Sequence, residues 1–275
     1  MSTTTSGSAT IDDACEVLAG RRLFVLTGAG VSTDSGIPDY RGPGSVPRTP
    51  MTFQELMSGR GAQQRYWARA HVGWARMRAA APNESHHALR AMEVDGRLTG
   101  LVTQNVDGLH EAAGHDDLVA LHGRIHEVVC LRCDEVTSRR SLHDRLTHLN
   151  PGWSEQDAAV APDGDALLDD TDGFVLADCL TCGGPLKPHV VFFGESVPKP
   201  RVERAFDMLA AADAVLVAGS SLHVMSGLRF VRRAAKDGTP VVIVNRGTTR
   251  GDELATLHVD AGCADTLTTL ATALR

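Results

Sequence analysis

The sequence Arg22-Leu-Phe-Val-Leu-Thr27-Gly28-Ala29-Gly30-Val31-Ser32 joins an apolar run to a turn that contains two glycines. A near-continuous apolar run of about five residues is typical of a strand buried on both faces of a parallel sheet. Glycines after such a strand let the backbone approach a phosphate, and the amide groups that follow favour its negative charge. The sequence therefore predicts a nucleotide cradle, although a plain tight turn is an alternative.

The rest of the chain alternates between strand-like and helix-like segments, which predicts an α/β fold. We expect a Rossmann-like parallel sheet with helices on both faces, right-handed crossovers, and ligands at the carboxyl ends of the strands. The other predicted strands are Leu98–Thr103, Val190–Phe193, Ala214–Gly219 and Pro240–Asn245. The predicted helices are Ile11–Ala19, Gln63–Ala80, Ser85–Val94, Arg201–Ala211, Gly227–Lys236 and Ala264–Leu274.

Four of the six cysteines form two CxxC pairs, Cys130-Leu-Arg-Cys133 and Cys179-Leu-Thr-Cys182. Four thiolates can close a tetrahedral cage around zinc with no open coordination position, so the predicted zinc is structural. The 45 residues from 134 to 178 separate the pairs, which is more than a compact zinc ribbon needs. Within it, Asp163–Asp165 and Asp169–Gly173 are acidic and turn-forming, and a solvated loop is their simplest interpretation.

Composition limits the classes of protein that fit. The chain has 275 residues and a net charge of −7, which argues against a nucleic-acid partner. No apolar run approaches the roughly 18 residues needed to span a bilayer, so no membrane partner is expected. Free cysteines without a disulfide pattern predict a cytoplasmic location. The oligomeric state is left open, with a monomer as the default.

Polar loops follow three of the other predicted strands. The amides and carboxylate of Thr103-Gln-Asn-Val-Asp107 suit an amide and sugar hydroxyls better than phosphate, although an Asx turn explains the same residues. Gly219-Ser-Ser221 and Asn245-Arg-Gly247 end two more strands, and loop capping explains either one alone. We predict that all three loops line one nucleotide site.

Two further segments are candidates for this site. In Gly36-Ile-Pro-Asp-Tyr-Arg41, a glycine, a proline, an aromatic and an arginine predict a flexible cover over a ligand; a surface loop with an Asp39–Arg41 ion pair is the alternative. His122 follows the short apolar run Leu118–Ala120 and precedes a glycine that leaves room for ligand. Its imidazole suits a general base at neutral pH.

An ordinary dehydrogenase is disfavoured. Thr33 stands where the third glycine of a G-x-G-x-x-G fingerprint belongs, and no second strand ends in an acidic residue about 20 positions later.

Together these segments resemble the sirtuins, a family of NAD-dependent protein deacylases. The resemblance runs in family order from about residue 20 to residue 263 and rests on the combination of segments. The matching segments are Gly28–Ser32, Gly36–Arg41, Thr103–Asp107, Leu121–Gly123, the two CxxC pairs, Lys187–Gly194, Gly219–Ser221 and Asn245.

The resemblance implies an enzyme that removes an acyl group from a protein lysine and transfers it to ADP-ribose, with release of nicotinamide. NAD and one structural zinc are the implied cofactors, and acyl-lysine proteins are the implied partners. The implied catalytic residues are His122 as general base, Asn105 and Asp107. The implied NAD-binding residues are Gly28, Ala29, Gly30, Thr33, Asp39, Tyr40, Arg41, Gln104, Asn105, Asp107, Gly219, Ser220, Ser221, Asn245, Arg246, Gly247 and Cys263. The implied zinc ligands are Cys130, Cys133, Cys179 and Cys182. Val190, Val191, Phe192, Phe193 and Gly194 would present a strand edge to the substrate peptide.

The resemblance also implies a division of the chain. Residues 10–42, 93–126 and 187–275 would form a Rossmann-like NAD-binding domain. Residues 43–92 would form a helical insertion, residues 127–186 a zinc-binding module, and residues 1–9 a disordered tail.

Departures from the family pattern leave the acyl preference open. Tyr40 replaces the phenylalanine that the family usually carries, and the long span between the CxxC pairs resembles the class II branch. Tyr66 and Arg69 have the spacing with which desuccinylases of the family bind an acyl carboxylate, although an ordinary helix surface with a solvated arginine is the simpler explanation. Protein ADP-ribosyl transfer, deacylation of long-chain, lipoyl or acidic acyl groups, and a non-catalytic zinc-ribbon module remain alternative functions.

Overall fold

The computed structural model describes residues 9–42, 49–156, 158–159, 161, 164–168 and 170–275. Residues 1–8 of the predicted disordered tail and residues 43–48, at the entry to the predicted helical insertion, lie outside the described residues. The described strands are β1 Leu23–Thr27, β2 Leu98–Thr103, β3 Leu118–Ala120, β4 Gly123–Cys130, β5 Val136–Ser138, β6 Leu186–Val190, β7 Ala214–Ala218, β8 Val241–Val244 and β9 Leu257–Val259. The described α-helices are α1 Ile11–Leu18, α2 Phe53–Leu56, α3 Arg60–Ala79, α4 Glu84–Val94, α5 Leu109–Ala112, α6 Arg139–Leu149, α7 Lys199–Ala210, α8 Met225–Lys236 and α9 Cys263–Ala273.

Six strands form one parallel sheet in the order β3-β2-β1-β7-β8-β9. Numbered along the chain, these strands have the order 3-2-1-4-5-6 of a Rossmann sheet. The predicted fold class is therefore confirmed. β1 lies at the centre, where the strand order reverses, and a ligand crevice is expected there.

Alternate residues of β1 point into two separate cores. Leu23 and Val25 pack with α1, α4 and α9, whereas Phe24 and Leu26 pack with α7 and α8. All four side chains are completely buried. Helices cover both faces of the sheet, which explains why the strand is apolar at every position.

A second, antiparallel sheet has the order β5-β4-β6. It shares a core with α3 and α6, in which the indole N–H of Trp67 donates to the Leu186 carbonyl at 2.9 Å. α4, which the sequence prediction assigns to the helical insertion, instead packs on the large sheet through Leu89 and Met92. α3 and the CxxC region therefore form one structural unit, separate from α4.

The strand predicted at Val190–Phe193 is wrong in position and in sheet. The strand is β6, which ends at Val190 and pairs with β4 in the antiparallel sheet. Val191–Phe193 leaves that sheet and makes one parallel bridge, between Phe193 and Thr52. The run lies at the junction between the two sheets, where Val190, Val191 and Phe192 are half-buried and Phe193 is exposed. Periodicity alone does not distinguish that environment from a central strand.

Part of the acidic stretch between the CxxC pairs lies along α3. The Ala166 N–H donates to the Arg69 carbonyl at 3.0 Å, and the Arg69 guanidinium donates to the Leu168 carbonyl at 3.0 Å. A Cβ atom added to Gly73 of α3 would collide with the Gly164 carbonyl oxygen. The segment 164–168 is therefore a docked part of the structure and not the solvated loop expected from its composition. Residues 163 and 169 of the acidic stretch lie outside the described residues.

Within the described part of the chain, no helix is both long enough and apolar enough to cross a membrane.

The close contact at Gly73 generates a stability prediction. Gly73→Ala should lower the free energy of unfolding by about 1–3 kcal/mol, because the added methyl meets fixed backbone. Gly61→Ala is the matched control: Gly61 lies in the same helix with nothing within 4 Å of its added Cβ, so alanine should stabilise slightly. Urea unfolding of both variants measures the difference, and equal stability of the two would contradict the docked segment.

Candidate active site

A cleft of about 1390 Å³ opens at the carboxyl ends of the central strands. Ligand sites typically measure about 300–1,000 Å³, so the volume suits a dinucleotide together with a second substrate. Every residue that the sequence predicts to bind NAD, to take part in catalysis or to contact the peptide lines this cleft. The predicted residues are thus brought together from eight separate stretches of the chain, between Gly28 and Cys263.

Three glycines allow the turn after β1 to touch the turn after β7. The Gly30 N–H donates to the Gly219 carbonyl at 2.8 Å, and a Cβ on Gly28 would lie 2.8 Å from the same carbonyl oxygen. Gly219 has a φ of +61° and would place a Cβ 2.5 Å from the Val31 nitrogen. Side chains are excluded, so the floor of the cleft is bare backbone, as a phosphate cradle requires.

The loop after β2 is tied to this turn by a chain of hydrogen bonds. The Asn105 amide donates to the Gly28 carbonyl and to the Ser32 hydroxyl, both at 3.0 Å, and Ser32 donates to the Asp107 carboxylate at 2.7 Å. Both amide hydrogens of Asn105 are thereby engaged, which leaves its side-chain oxygen to accept a bond from a ligand. Burial raises the pKa of Asp107, and the Leu109 N–H and Ser32 hydroxyl oppose that shift.

Gln104 and Ser220 join the loops after β2 and β7. The Ser220 hydroxyl donates to the Gln104 side-chain oxygen at 2.6 Å. Ser220 is buried, so the amide of Gln104 is held at one position on the cleft wall.

His122 is held by two hydrogen bonds that define its tautomer. Nδ1 lies 2.8 Å from the Gln104 carbonyl oxygen, which can only accept, so Nδ1 carries the proton. Nε2 lies 2.8 Å from the Ser226 hydroxyl and accepts from it. Burial lowers the pKa of His122 to about 4, and the positive charges of Arg201 and Arg229 act in the same direction. The ring is therefore neutral at physiological pH, with its basic lone pair on Nε2.

Three buried histidines lie behind the cleft. His110 Nε2 contacts the Thr27 hydroxyl at 3.0 Å, and that hydroxyl donates to Thr103, which accepts from the Asn105 N–H. The ring of His110 packs between those of His86 and His115, with centroids 4.7 and 5.1 Å away. Burial lowers the pKa of all three, and the Glu93 carboxylate, 2.7 Å from His115 Nδ1, opposes the shift at His115. The three rings support the ends of β1 and β2.

The predicted cover loop crosses the mouth of the cleft. The Tyr40 ring meets the edge of the Phe193 ring at 6.5 Å, and Asp39 accepts from the Gly42 N–H at 2.8 Å. Arg41 is exposed, and the Thr33 hydroxyl donates to the Gly30 carbonyl at 3.1 Å. Thr33 therefore braces the glycine turn.

The far wall of the cleft is formed by the loops after β7 and β8 and by the start of α9. Asn245 uses its amide to hold its own loop, donating to the carbonyls of Arg246 and Gly247 at 2.8 and 3.2 Å. The Ser221 carbonyl accepts from the Arg250 N–H at 3.0 Å. Burial raises the pKa of Cys263 to about 12, so this thiol is not a nucleophile at neutral pH.

The segment predicted to contact the peptide is linked directly to His122. The Val191 N–H donates to the His122 carbonyl at 2.8 Å. Lys187 is buried, pairs with Glu195 at 2.8 Å, and donates to the Val190 carbonyl at 2.6 Å, so the segment has a fixed shape. Phe193 is 40 % exposed at the cleft mouth and offers an apolar contact to a substrate.

The four cysteines of the CxxC pairs form one cluster, apart from the cleft. Their sulfurs all lie within 4.8 Å of one another, with 3.5 Å between Cys130 and Cys182 and 3.8 Å between Cys133 and Cys179. Four thiolates bound to zinc at about 2.3 Å would lie about 3.8 Å apart. The cluster fits one tetrahedral zinc.

Tyr66 and Arg69 do not act together in the cleft. Tyr66 lines the cleft and packs edge-on against Phe192 at 5.3 Å. Arg69 is outside the cleft lining, and its guanidinium donates to the Leu168 carbonyl. This arrangement disfavours the pair as a reader of an acyl carboxylate.

A model of the Sir2 family matches residues 28–226 of the chain. The chain belongs to the Sir2 family. The NAD-dependent protein deacetylase 1 of Mycobacterium avium (strain 104) is 53% identical over 272 residues, with 97% of this chain and 96% of the relative covered. The NAD-dependent protein deacetylase of Xanthomonas axonopodis pv. citri (strain 306) is 56% identical over 252 residues, with 90% and 86% covered.

A solved Sir2 structure described as "Sir2-p53 peptide-NAD+" superposes on this sirtuin with a TM-score of 0.78 at 27% identity, covering 96% of this chain and 98% of the other.

Sequence reasoning missed two residues of this sirtuin's site. Ser226 contacts His122 across 104 positions of sequence, and Ser32 bridges Asn105 and Asp107. The signal that could have identified Ser32 is its position, since it is the polar residue that ends the glycine turn. No local sequence pattern identifies Ser226, because its contact with His122 forms only in the folded chain.

The geometry of His122 generates a titration prediction. The pKa of His122 should lie well below 6.5, toward 4, because burial disfavours the charged ring. Ser226→Ala should raise that pKa, because the variant loses the hydroxyl that donates to the neutral Nε2. NMR titration of the imidazole measures both. A pKa of 6.5 or above in the unaltered protein would contradict the assigned tautomer and burial.

The cysteine cluster generates a metal prediction. The purified sirtuin should contain about one zinc per chain, and Cys179→Ser should bring the content well below one and lower the melting temperature. Cys15→Ser is the matched control, because Cys15 lies outside the cluster. Elemental analysis and thermal unfolding test the pair, and full zinc content in Cys179→Ser would refute the cluster as the metal site.

Proposed function

We propose that this sirtuin is an NAD-dependent protein-lysine deacetylase, which transfers the acyl group to ADP-ribose and releases nicotinamide and free lysine. One observation carries the proposal. The basic Nε2 atom of His122 lies in the same cleft as a bare glycine cradle and a fixed peptide-facing segment. The relatives named as NAD-dependent protein deacetylases support the same function.

The residues of the cleft fit NAD in two respects. The glycines Gly28, Gly30 and Gly219 line the cleft with backbone atoms, where a pyrophosphate would lie. Gln104 and Asn105 offer amide groups at the neighbouring strand end, which suit the carboxamide and ribose hydroxyls of the nicotinamide half. When bound, NAD supplies a ribose carbon from which nicotinamide can leave.

His122 would act as the general base toward a ribose hydroxyl. Its Nδ1–H is held by the Gln104 carbonyl, so the ring cannot turn its basic nitrogen away from the cleft. Because the ring is already neutral, no proton has to be removed before it can accept one. Ser226 would release Nε2 by rotating its hydroxyl when a ligand hydroxyl takes its place.

The substrate would be a protein segment with an acylated lysine. Val190–Gly194 supports this assignment, since it ends a strand, is tied to His122 through Val191, and exposes Phe193 at the mouth of the cleft. An extended peptide could pair with this segment by strand addition. Closure by the Tyr40 loop would then exclude water from the reacting groups.

The zinc cluster would stabilise the small sheet and would take no part in the reaction, since four thiolates leave no coordination position for a substrate. We infer a cytoplasmic location, because thiolates that bind zinc require a reducing compartment.

The test is incubation with NAD and an acetyl-lysine peptide. The expected products are nicotinamide, the deacetylated peptide and O-acetyl-ADP-ribose, identified by mass. His122→Ala should lower turnover by at least about 100-fold, because it removes the general base. His148→Ala is the matched control, since His148 is exposed on α6, and its turnover should be unchanged.

Three outcomes would contradict the proposal. Peptide that keeps its acetyl group while a protein gains the mass of ADP-ribose would indicate an ADP-ribosyltransferase. Deacetylation that proceeds without NAD would indicate a different chemistry. Full turnover by His122→Ala, with its melting temperature unchanged, would remove His122 from the mechanism.

A further inference from the structure

Asp165, from the acidic stretch between the CxxC pairs, has its carboxylate at the active-site cleft. Asp165 lines the cleft, although it lies in sequence between two zinc-ligand pairs. It belongs to the segment 164–168, which α3 holds through the Ala166–Arg69 backbone bond and the close contact of Gly164 with Gly73. Asp165 is thus carried by a fixed backbone.

Asp165 lies at the apolar end of the cleft. Met77 and Ile125 line the cleft with it and belong to one apolar cluster with Ile37. Gly164, its neighbour in the chain, would place a Cβ 2.7 Å from the Met77 side chain. The glycine cradle suits a dinucleotide, so this apolar end is the part of the cleft that suits an acyl chain.

A buried arginine lies next to Asp165. Arg139 is 1 % exposed, stacks between Trp67 and Trp74 at 4.9 and 5.1 Å, and lines a small void of about 10 Å³ together with Asp165. Burial lowers the pKa of Arg139 to about 10, while Tyr66 and Asp165 act to raise it. The guanidinium thus remains charged at neutral pH, and its charge is complementary to that of the Asp165 carboxylate.

We propose that Asp165 makes this sirtuin select acyl groups that carry a hydroxyl and reject acyl groups that carry a carboxylate. The inference rests on the proposed deacylase function. An ionised carboxylate only accepts hydrogen bonds, so a hydroxyl on the acyl chain would donate to it. A succinyl group would bring a second negative charge into a poorly solvated site, where like charges repel strongly.

The preference should be large enough to measure. A hydrogen bond to a charged acceptor corresponds to a rate ratio of about tenfold or more. We therefore expect kcat/KM for a hydroxybutyryl-lysine peptide, with the hydroxyl on carbon 3 or carbon 4, to exceed that for the butyryl peptide by about tenfold. The succinyl peptide should fall below the butyryl peptide by a similar factor.

The experiment compares acetyl, butyryl, two hydroxybutyryl and succinyl peptides of one sequence, with NAD, in three variants. Asp165→Leu removes the acceptor and should abolish the hydroxyl preference. Asp165→Asn keeps an acceptor oxygen but removes the charge, so it should raise the ratio of succinyl to butyryl turnover by about tenfold. Asp172→Asn is the control: Asp172 is an exposed carboxylate of the same stretch, outside the cleft lining, and every ratio should stay the same.

The measured ratios either support or overturn the inference. Two results would overturn the inference. The first is a kcat/KM of the unaltered protein for the butyryl peptide that equals or exceeds its values for both hydroxybutyryl peptides. The second is that both Asp165 variants show the same kcat/KM ratios between peptides as the unaltered protein. Melting temperatures distinguish a changed acyl preference from a damaged fold. Each ratio compares two peptides with the same variant, so a general loss of activity does not change it. Failure to process any peptide, acetyl included, would instead overturn the proposed function, and this inference with it.

Discussion

The turns after β1 and β7 approach each other so closely that no Cβ fits between Gly28, Gly30 and Gly219. This contact is the constraint on which the rest of the site depends. Because the turns touch, Ser220 reaches Gln104, and because Gln104 is held, its carbonyl can fix the His122 ring. An alanine at any of the three positions would separate the turns and would displace the base at the same time.

The site is defined more by backbone position than by side-chain charge. Asn105 and Ser32 tie the loop after β2 to the glycine turn, while His110 and Thr27 brace the strands from behind. These contacts are short, buried and mutually dependent, which preorganises the polar groups before any ligand arrives. The more exposed elements are the cover loop and Phe193 at the mouth, where a substrate must enter and leave.

The sequence predicted the central sheet and most of the cleft because both rest on local patterns: an apolar run followed by glycine or a polar loop marks β1, β2, β7 and β8. It misplaced the strand near Val190, because that half-buried apolar run lies at the junction of two sheets and not in a central strand. It also favoured a solvated loop around Gly164 and Asp165, although Gly164 packs on α3. Ser226 and Asp165 acquire their positions only through long-range packing, which composition and spacing do not encode.

The buried histidines also make the fold sensitive to proton uptake. Burial lowers the pKa of His71 to about 3 and of His86 and His143 to about 4, and that of His110 well below its ordinary 6.5. A histidine whose pKa is lower in the folded than in the unfolded chain stabilises the fold fully above pH 6.5, and that contribution is lost as the pH falls from 6.5 toward 4. His71 and His143 stack at 4.5 Å where α3 meets α6, and His86 and His110 at 4.7 Å beside the ends of β1 and β2. Acid would therefore destabilise the small sheet beside the cysteine cluster and the large parallel sheet within the same pH interval. The free energy of unfolding of this enzyme would fall in an acidified compartment.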